Sequence, residues 1–328
     1  MKKGIGVLIT TAVILFTSSI VQAQTSLPLT VGPARQQISI NPGEEAQFIV
    51  KFYNQGNSPT AGFIKTADFV VEDDKGTPRI IEDNNQASPK FSASEWITLP
   101  FDRVNIPAND KIAIQISIKV PPNARPGGRY VAVFYEPSSP FATQVGESGS
   151  SIVPRIASLL YIRVNGPISE NARIAQMFVN SFYEYGPIEV TARITNSGDY
   201  HVRPHGAFTL TNTLGGTIQQ SALKEANIFP DATRIFTTTV GEKWMMGRYK
   251  ITLNALYGEK NQIMERSVYV WVFPWKVALV ILLTLVILGI IGHAVYKNII
   301  VKEASLEDEL SKERREIEKL KKELGKRE

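Results

Sequence analysis

Apolar residues recur at every second position in four long runs of this chain: Ala46, Phe48, Val50 and Phe52; Ile112, Ile114, Ile116, Ile118 and Val120; Ile188, Val190, Ala192 and Ile194; and Tyr249, Ile251, Leu253, Ala255 and Tyr257. A period of two sends alternate side chains to opposite faces of an extended backbone, so each run predicts a β-strand with one buried and one wet face. Two packed antiparallel sheets bury such faces against each other. Turn formers separate the runs at Asn41-Pro42-Gly43, Asp74-Lys75-Gly76, Pro121-Pro122, Pro126-Gly127-Gly128 and residues 212–216. Helical periodicity of useful length does not occur before residue 275.

Residues 277–296 follow a different rule: 20 positions hold no Asp, Glu, Lys or Arg, and 13 of them are Leu, Ile or Val. That length and composition predict a membrane-spanning helix. At roughly −0.3 to −0.6 kcal/mol for each such residue near the bilayer centre, the aliphatic side chains contribute about −5 kcal/mol, which outweighs Gly289, Gly292 and His293. Trp271, Phe273 and Trp275 precede the span as an aromatic belt, and Tyr296 and Lys297 close it. At the other end, Lys2 and Lys3, the mostly apolar residues 4–20 and Val21-Gln22-Ala23 predict a signal peptide over residues 1–23. Cleavage after Ala23 is expected, with an uncleaved anchor as the alternative. The topology that follows is a type I single-pass protein of the plasma membrane, with the ectodomain extracellular and residues 297–328 cytoplasmic.

The two halves of the ectodomain echo each other. Asn54-Gln55-Gly56-Asn57 ends a strand in the first half, as Asn196-Ser197-Gly198-Asp199 does in the second. Asn105-Ile106-Pro107 and Asn227-Ile228-Phe229-Pro230 each open a strand, and Gly128-Arg129-Tyr130 and Gly247-Arg248-Tyr249 each open another. Shared architecture and tandem duplication both account for this order. The predicted fold class is all-β: two tandem immunoglobulin-like β-sandwiches over residues 27–166 and 167–274, then one transmembrane helix and a short cytoplasmic amphipathic helix. That last helix is expected from about residue 305, where Ser305 and Asp308 have capping-box spacing and Leu306, Leu310, Ile317, Leu320 and Leu324 make an apolar stripe. Fewer than three heptads would support only weak self-association or docking of a cytosolic partner.

The formal charge of +5 points toward a polyanion until it is located. Residues 24–275 hold 23 Lys and Arg against 22 Asp and Glu, so the excess resides in the signal segment, Lys276 and the tail. A nearly neutral exterior offers no electrostatic footprint for nucleic acid. The chain has no cysteine, which excludes disulfides, thiolate metal sites and a thiol nucleophile. The exterior domains therefore depend on their hydrophobic cores.

Chemistry-bearing clusters are few. His201 and His205 are four apart, yet Pro204 interrupts any helix between them, and a loop pair without metal is the expectation. Asp73 and Asp74, with Glu72, Glu82 and Asp83, lack the alternate-position oxygen ligands of a calcium loop and read as solvated turns. With no nucleophile elbow and no paired carboxylates, the chain is expected to be non-enzymatic, with neither cofactor nor metal. Aromatic residues are the more promising feature: Tyr183 and Tyr185, beside Phe182, and Trp244, beside Met245 and Met246, are the candidate binding residues. Rigid rings with polar tips suit protein or sugar surfaces, while packing at a domain junction or against the bilayer would place the same residues there. The Ser/Gly-rich residues 137–151 are expected to form a flexible loop between the last two strands of the first sandwich.

The opening Leu29-Thr30-Val31-Gly32-Pro33, then Ile40-Asn41-Pro42-Gly43, Val104-Asn105-Ile106-Pro107-Ala108-Asn109, Pro121-Pro122 and Gly127-Gly128-Arg129-Tyr130 carry a resemblance. In that order they resemble the WxL-interacting proteins of bacterial surfaces. The resemblance implies a first domain that binds peptidoglycan and a second that binds a host or surface protein partner. The long mixed-charge tail departs from the brief basic stub of that family and suggests an added inward function. The first half is also similar in strand order to pilus-assembly chaperones of the PapD type, which are soluble and lack a membrane tail. The function expected is therefore that of a non-enzymatic cell-surface protein binding cell-wall polymer, a surface protein partner, or both. A membrane-anchored assembly chaperone or signalling component is the alternative, and a wall-modifying enzyme has the least support.

Overall fold

The computed structural model describes residues 28–81, 88, 90–138 and 154–324. The signal segment, Glu82, Asp83 and most of the Ser/Gly-rich stretch lie outside the described residues. The chain falls into two units, Met1–Val70 with Pro78–Pro167, and Val71–Thr77 with Ile168–Glu328.

Among the described residues the first unit is a sandwich of ten strands. One sheet has the order β1 (Leu29–Gly32), β3 (Glu45–Asn54), β8 (Asp110–Lys119), β6 (Ile97–Thr98). The other has the order β2 (Arg35–Ile40), β10 (Ile156–Val164), β9 (Gly127–Pro137), β4 (Thr60–Val70), β5 (Arg79–Ile81), with β7 (Arg103–Ile106) also paired to β4. The period-two runs behave as their spacing predicts. β3 and β8 pair antiparallel with Phe48 opposite Ile116, Val50 opposite Ile114 and Phe52 opposite Ile112, and this face enters the core.

Two details differ from simple alternation. β2 pairs parallel to β10, because the chain crosses from one sheet to the other between β1 and β2. β9 is buried on both faces. Val131, Val133 and Tyr135 face the core, whereas Tyr130 is covered from outside by Phe69, Phe91 and Tyr161, with ring centroids 5.8 to 6.5 Å away. An aromatic layer thus dries the outer face of the central strand.

The second unit packs the three-stranded sheet β11 (Ala172–Val179), β13 (Ile188–Asn196), β16 (Thr233–Val240) on a five-stranded one. The latter has the order β12 (Phe182–Tyr183), β18 (Gln262–Val272), β17 (Gly247–Tyr257), β14 (His205–Asn212), β15 (Thr217–Ala222). Ile188, Val190, Ala192 and Ile194 meet Tyr249, Ile251, Leu253 and Ala255 in its core.

The echo between the halves has a physical cause. Asn54, buried at the end of β3, donates to the carbonyls of Ser58, Ile106 and Pro107, and its Oδ1 accepts from the Gly56 N–H at 3.0 Å. Asn196, buried at the end of β13, donates to the carbonyls of Tyr200 and Ile228 and accepts from the Gly198 N–H at 2.9 Å. Each asparagine ties its own turn to the Asn-Ile segment that opens a later strand. Leaving those buried backbone groups without partners would be costly.

β18 is followed by Phe273 and Pro274 and then by α1 (Trp275–Leu324). The helix contains a stretch long and apolar enough to cross a membrane, and none of that stretch is covered by protein. The separate tail helix expected from residue 305 is not found, because α1 runs unbroken through that position. Ser305 Oγ donates to the Lys302 carbonyl, 2.8 Å away, a bond made from inside a helix. A capping box operates only where the backbone enters a helix, and here it is already helical.

Candidate binding site

The second unit carries the three aromatic candidates, and they divide. Tyr183 turns inward: its ring packs on the core and its hydroxyl donates to the Glu189 carbonyl at 3.1 Å. Tyr185 and Trp244 come together edge to face, with centroids 5.4 Å apart and planes at 87°. The loops that bear them are locked by the Gly186 N–H, which donates to the Lys243 carbonyl at 3.1 Å. A Cβ at Gly186 would collide with the Glu242 carbonyl, so the approach requires glycine there. Trp244 is 66 % exposed and Met246 68 %, while Met245 between them is buried.

The other sequence candidates stay apart. His201 is buried and stacked between Tyr200 and Phe229 at 4.2 and 5.8 Å, whereas His205 is exposed at the start of β14. Asp73 Oδ1 accepts from the Thr77 N–H at 2.7 Å, closing a turn. Hydrogen bonding by Thr77, through its side chain first and its backbone second, holds the Asp73 carboxyl below the ordinary aspartate range. Among the described residues no group of three or more His, Asp or Glu is placed to hold a metal.

Two surfaces of the five-stranded sheet were not picked out by sequence reading. The first is a polar trough of about 490 Å³ on its outward face, lined by Thr209 and Thr211 of β14, Arg248, Lys250, Thr252 and Asn254 of β17, and Glu265 and Tyr269 of β18. Register sets Asn254 opposite Glu265, Thr252 opposite Ser267 with their hydroxyls 2.9 Å apart, and Lys250 opposite Tyr269. The Arg248 guanidinium lies 4.3 Å from the Tyr269 ring centroid. Those of β17 are the off-phase residues of its period-two run, so the alternation that located the core held the signal that could have found this face.

The second surface is the edge strand β15. It pairs with β14 on one side, and among the described residues no strand pairs with its other side. Its sequence, Thr217-Ile218-Gln219-Gln220-Ser221-Ala222, holds neither charge nor proline. Ile218 is 46 % exposed, and Leu214 in the preceding turn is 94 % exposed. Of the other edges, β2 is also six residues long but carries the charge of Arg35, and the rest are short or guarded. β5 and β6 have three and two residues, and at the bulge of β11 the carbonyls of Ile174 and Ala175 accept from Arg266 Nη1. β16, the remaining long edge of the unit, carries Arg234 and is tied to β15 through the Thr238 and Ser221 hydroxyls, 3.1 Å apart.

Fold and surfaces together define an all-β protein of two immunoglobulin-like sandwiches with an apolar C-terminal helix. No family model matches the chain, and no curated protein does, so the resemblance to the WxL-interacting proteins rests on the turn and strand-start residues alone. Among solved structures the chain is similar to the class 5 fimbriae chaperone CfaA, with 14 % identity and a TM-score of 0.37 over 73 % of this chain and 98 % of that one. It is also similar to the E. coli chaperone DraB, at 10 % identity and a TM-score of 0.32 over 74 % of this chain and 96 % of that one. The Pseudomonas aeruginosa CupB2 chaperone is a further likeness, at 10 % identity and a TM-score of 0.31 over 70 % and 96 %.

Proposed function

We propose that this chain is a non-catalytic surface protein, anchored by α1 in the plasma membrane with both sandwiches outside, that captures an extended segment of another surface protein along β15. The observation that carries this reading is the outer edge of β15, which meets β16 through side chains but pairs with no strand among the described residues, so that its backbone N–H and C=O groups can extend the sheet by one strand. The flanking Ile218 and Leu214 supply apolar contact for alternate side chains of the incoming segment. The same operation would serve a membrane-anchored assembly chaperone.

A second reading is favoured by the trough. Hydroxyl, amide and carboxylate groups beside the Tyr269 ring match the needs of a glycan, and this surface would account for cell-wall polymer as ligand.

Full-length protein in detergent micelles, incubated with wall sacculi either stripped of protein or still bearing it, separates the two. Sedimentation only with protein-bearing sacculi, abolished by Ile218→Lys with Gln220→Lys, supports edge capture. Equal sedimentation with stripped sacculi, abolished by Asn254→Ala with Glu265→Ala, supports the polymer reading. Sedimentation with neither overturns both, and release of muropeptides would make the protein an enzyme. The orientation is tested separately: protease added to intact cells should remove the sandwiches and spare the tail.

A further inference from the structure

We infer that the second sandwich sits on the bilayer, with the loop between β16 and β17 seated in the phospholipid headgroup layer through Trp244 and Met246. This rests on reading α1 as a membrane span.

Strand register fixes the height of this loop. Gly247, the first residue of β17 after the loop, pairs with Val272 at the end of β18, and α1 begins three residues later. On the other side of β18, Phe182 pairs with Trp271 and Tyr183 with Val272, so the segment that holds Tyr185 lies at the same level. The helix is tied to that level. The Phe273 N–H donates to the Tyr183 carbonyl at 3.0 Å, and Lys276 Nζ meets Glu184 Oε2 at 2.8 Å. Gly186 then locks the Tyr185 segment to the Trp244 loop.

A span that begins at this level puts the water–lipid boundary beside the loop. Trp244 and Met246 are largely bare, and Trp271 and Trp275 are each about half exposed. An indole with an N–H at its rim is suited to the boundary between headgroups and acyl chains, and a flexible methionine fills irregular apolar space. Lys243 precedes Trp244 in the loop, where a long basic side chain can reach headgroup phosphates. The chemistry is that of the belt residues flanking the span, continued onto a loop distant in sequence. The bilayer is therefore the occupant that covers these side chains, and the sandwich is held at a fixed tilt instead of swinging from Phe273 and Pro274.

The absence of cysteine makes the test clean, since a single nitroxide can be placed without background. Full-length chains carrying one label each, at Trp244→Cys, Met246→Cys, Lys260→Cys and Leu285→Cys, are reconstituted into vesicles of phosphatidylcholine and phosphatidylglycerol. Lys260 is exposed in the turn between β17 and β18, at the opposite end of the sheet from α1. Collision rates with oxygen and with a water-soluble nickel chelate are then compared. Labels at 244 and 246 should show an oxygen-to-nickel ratio between that of 285 in the span and that of 260, and several-fold above the latter. Ratios at 244 and 246 equal to that at 260, with 285 oxygen-rich, would overturn the inference and leave the span standing. A ratio at 285 equal to that at 260 would remove the span itself and this inference with it.

Discussion

Asn54 and Asn196 do the same work in the two sandwiches, yet the sheets around them are finished differently. In the first sandwich the central strand β9 is dry on both faces, and β10 has a neighbour on either side. A buried carboxyl group, Asp68, accepts hydrogen bonds from Ser92 Oγ, Ser94 Oγ and the N–H groups of Ala93 and Ser94. In the second sandwich, among the described residues, no Asp or Glu is buried, the outward face of β17 and β18 is a wet trough, and no strand pairs with the outer side of β15. The shared asparagine shows what the architecture requires, and the differences show where surface has been left available.

The comparison breaks most sharply at Asp68. Asp68→Ala strands four donors, three of them buried, and should lower the stability of the first sandwich by about 4 kcal/mol, measured by denaturant unfolding, without reducing capture at β15 by the folded protein. Asn54→Ala and Asn196→Ala should each cost about 3 kcal/mol, by equal amounts in their own sandwich if the two corners are equivalent. Unequal losses would show that the corners are alike in geometry but not in energy. Gly186→Ala should cost about 2 kcal/mol by forcing the Glu242 carbonyl away, and it should part Tyr185 from Trp244, seen as a change in tryptophan emission. Ile218→Lys with Gln220→Lys should change stability by less than about 0.5 kcal/mol while abolishing capture, because both positions are exposed.

The smallest effect is one of pH. Hydrogen bonding from Lys65, with the Arg155 charge adding to it, holds the Glu136 carboxyl below the ordinary glutamate range. Its folded value lies below its unfolded one. The stabilisation is therefore complete above the ordinary range and is lost as pH falls through the lowered value. Stability of the first sandwich measured from about pH 6 down to about pH 2 should fall less steeply in Glu136→Gln.

Much of the fold was legible because its signals are local. Alternation at Phe48, Val50 and Phe52 needs only the pleat of a strand to become a prediction, and the paired Asn-x-Gly turns mark corners whose purpose the hydrogen bonds of Asn54 and Asn196 explain. The parallel pairing of β2 with β10 was not legible, since it joins residues more than a hundred positions apart and leaves no periodic trace. Nor was the dry outer face of β9, which depends on Phe69, Phe91 and Tyr161 arriving from elsewhere in the chain. Ser305 and Asp308 carry the capping spacing, but the helix already running through them overrides it. Of the candidate site, spacing could name Tyr183, Tyr185 and Trp244 without saying which ring turns inward. The edge at β15 escaped because Thr217-Ile218-Gln219-Gln220-Ser221-Ala222 has too little apolar alternation to announce a strand.

The order β18, β17, β14, β15 has a mechanical consequence. The strand that runs on toward α1 and the strand proposed to hold a captured segment belong to one sheet, and each neighbouring pair between them is antiparallel. If α1 is the anchor and β15 holds a segment pulled along the strand, tension between them would pass sideways through three ladders, each loaded in shear along its length, so many hydrogen bonds would resist together instead of unzipping one at a time. Pulling a single molecule between α1 and a tether on β15 should require more force than pulling it between α1 and β11, which belongs to the other sheet.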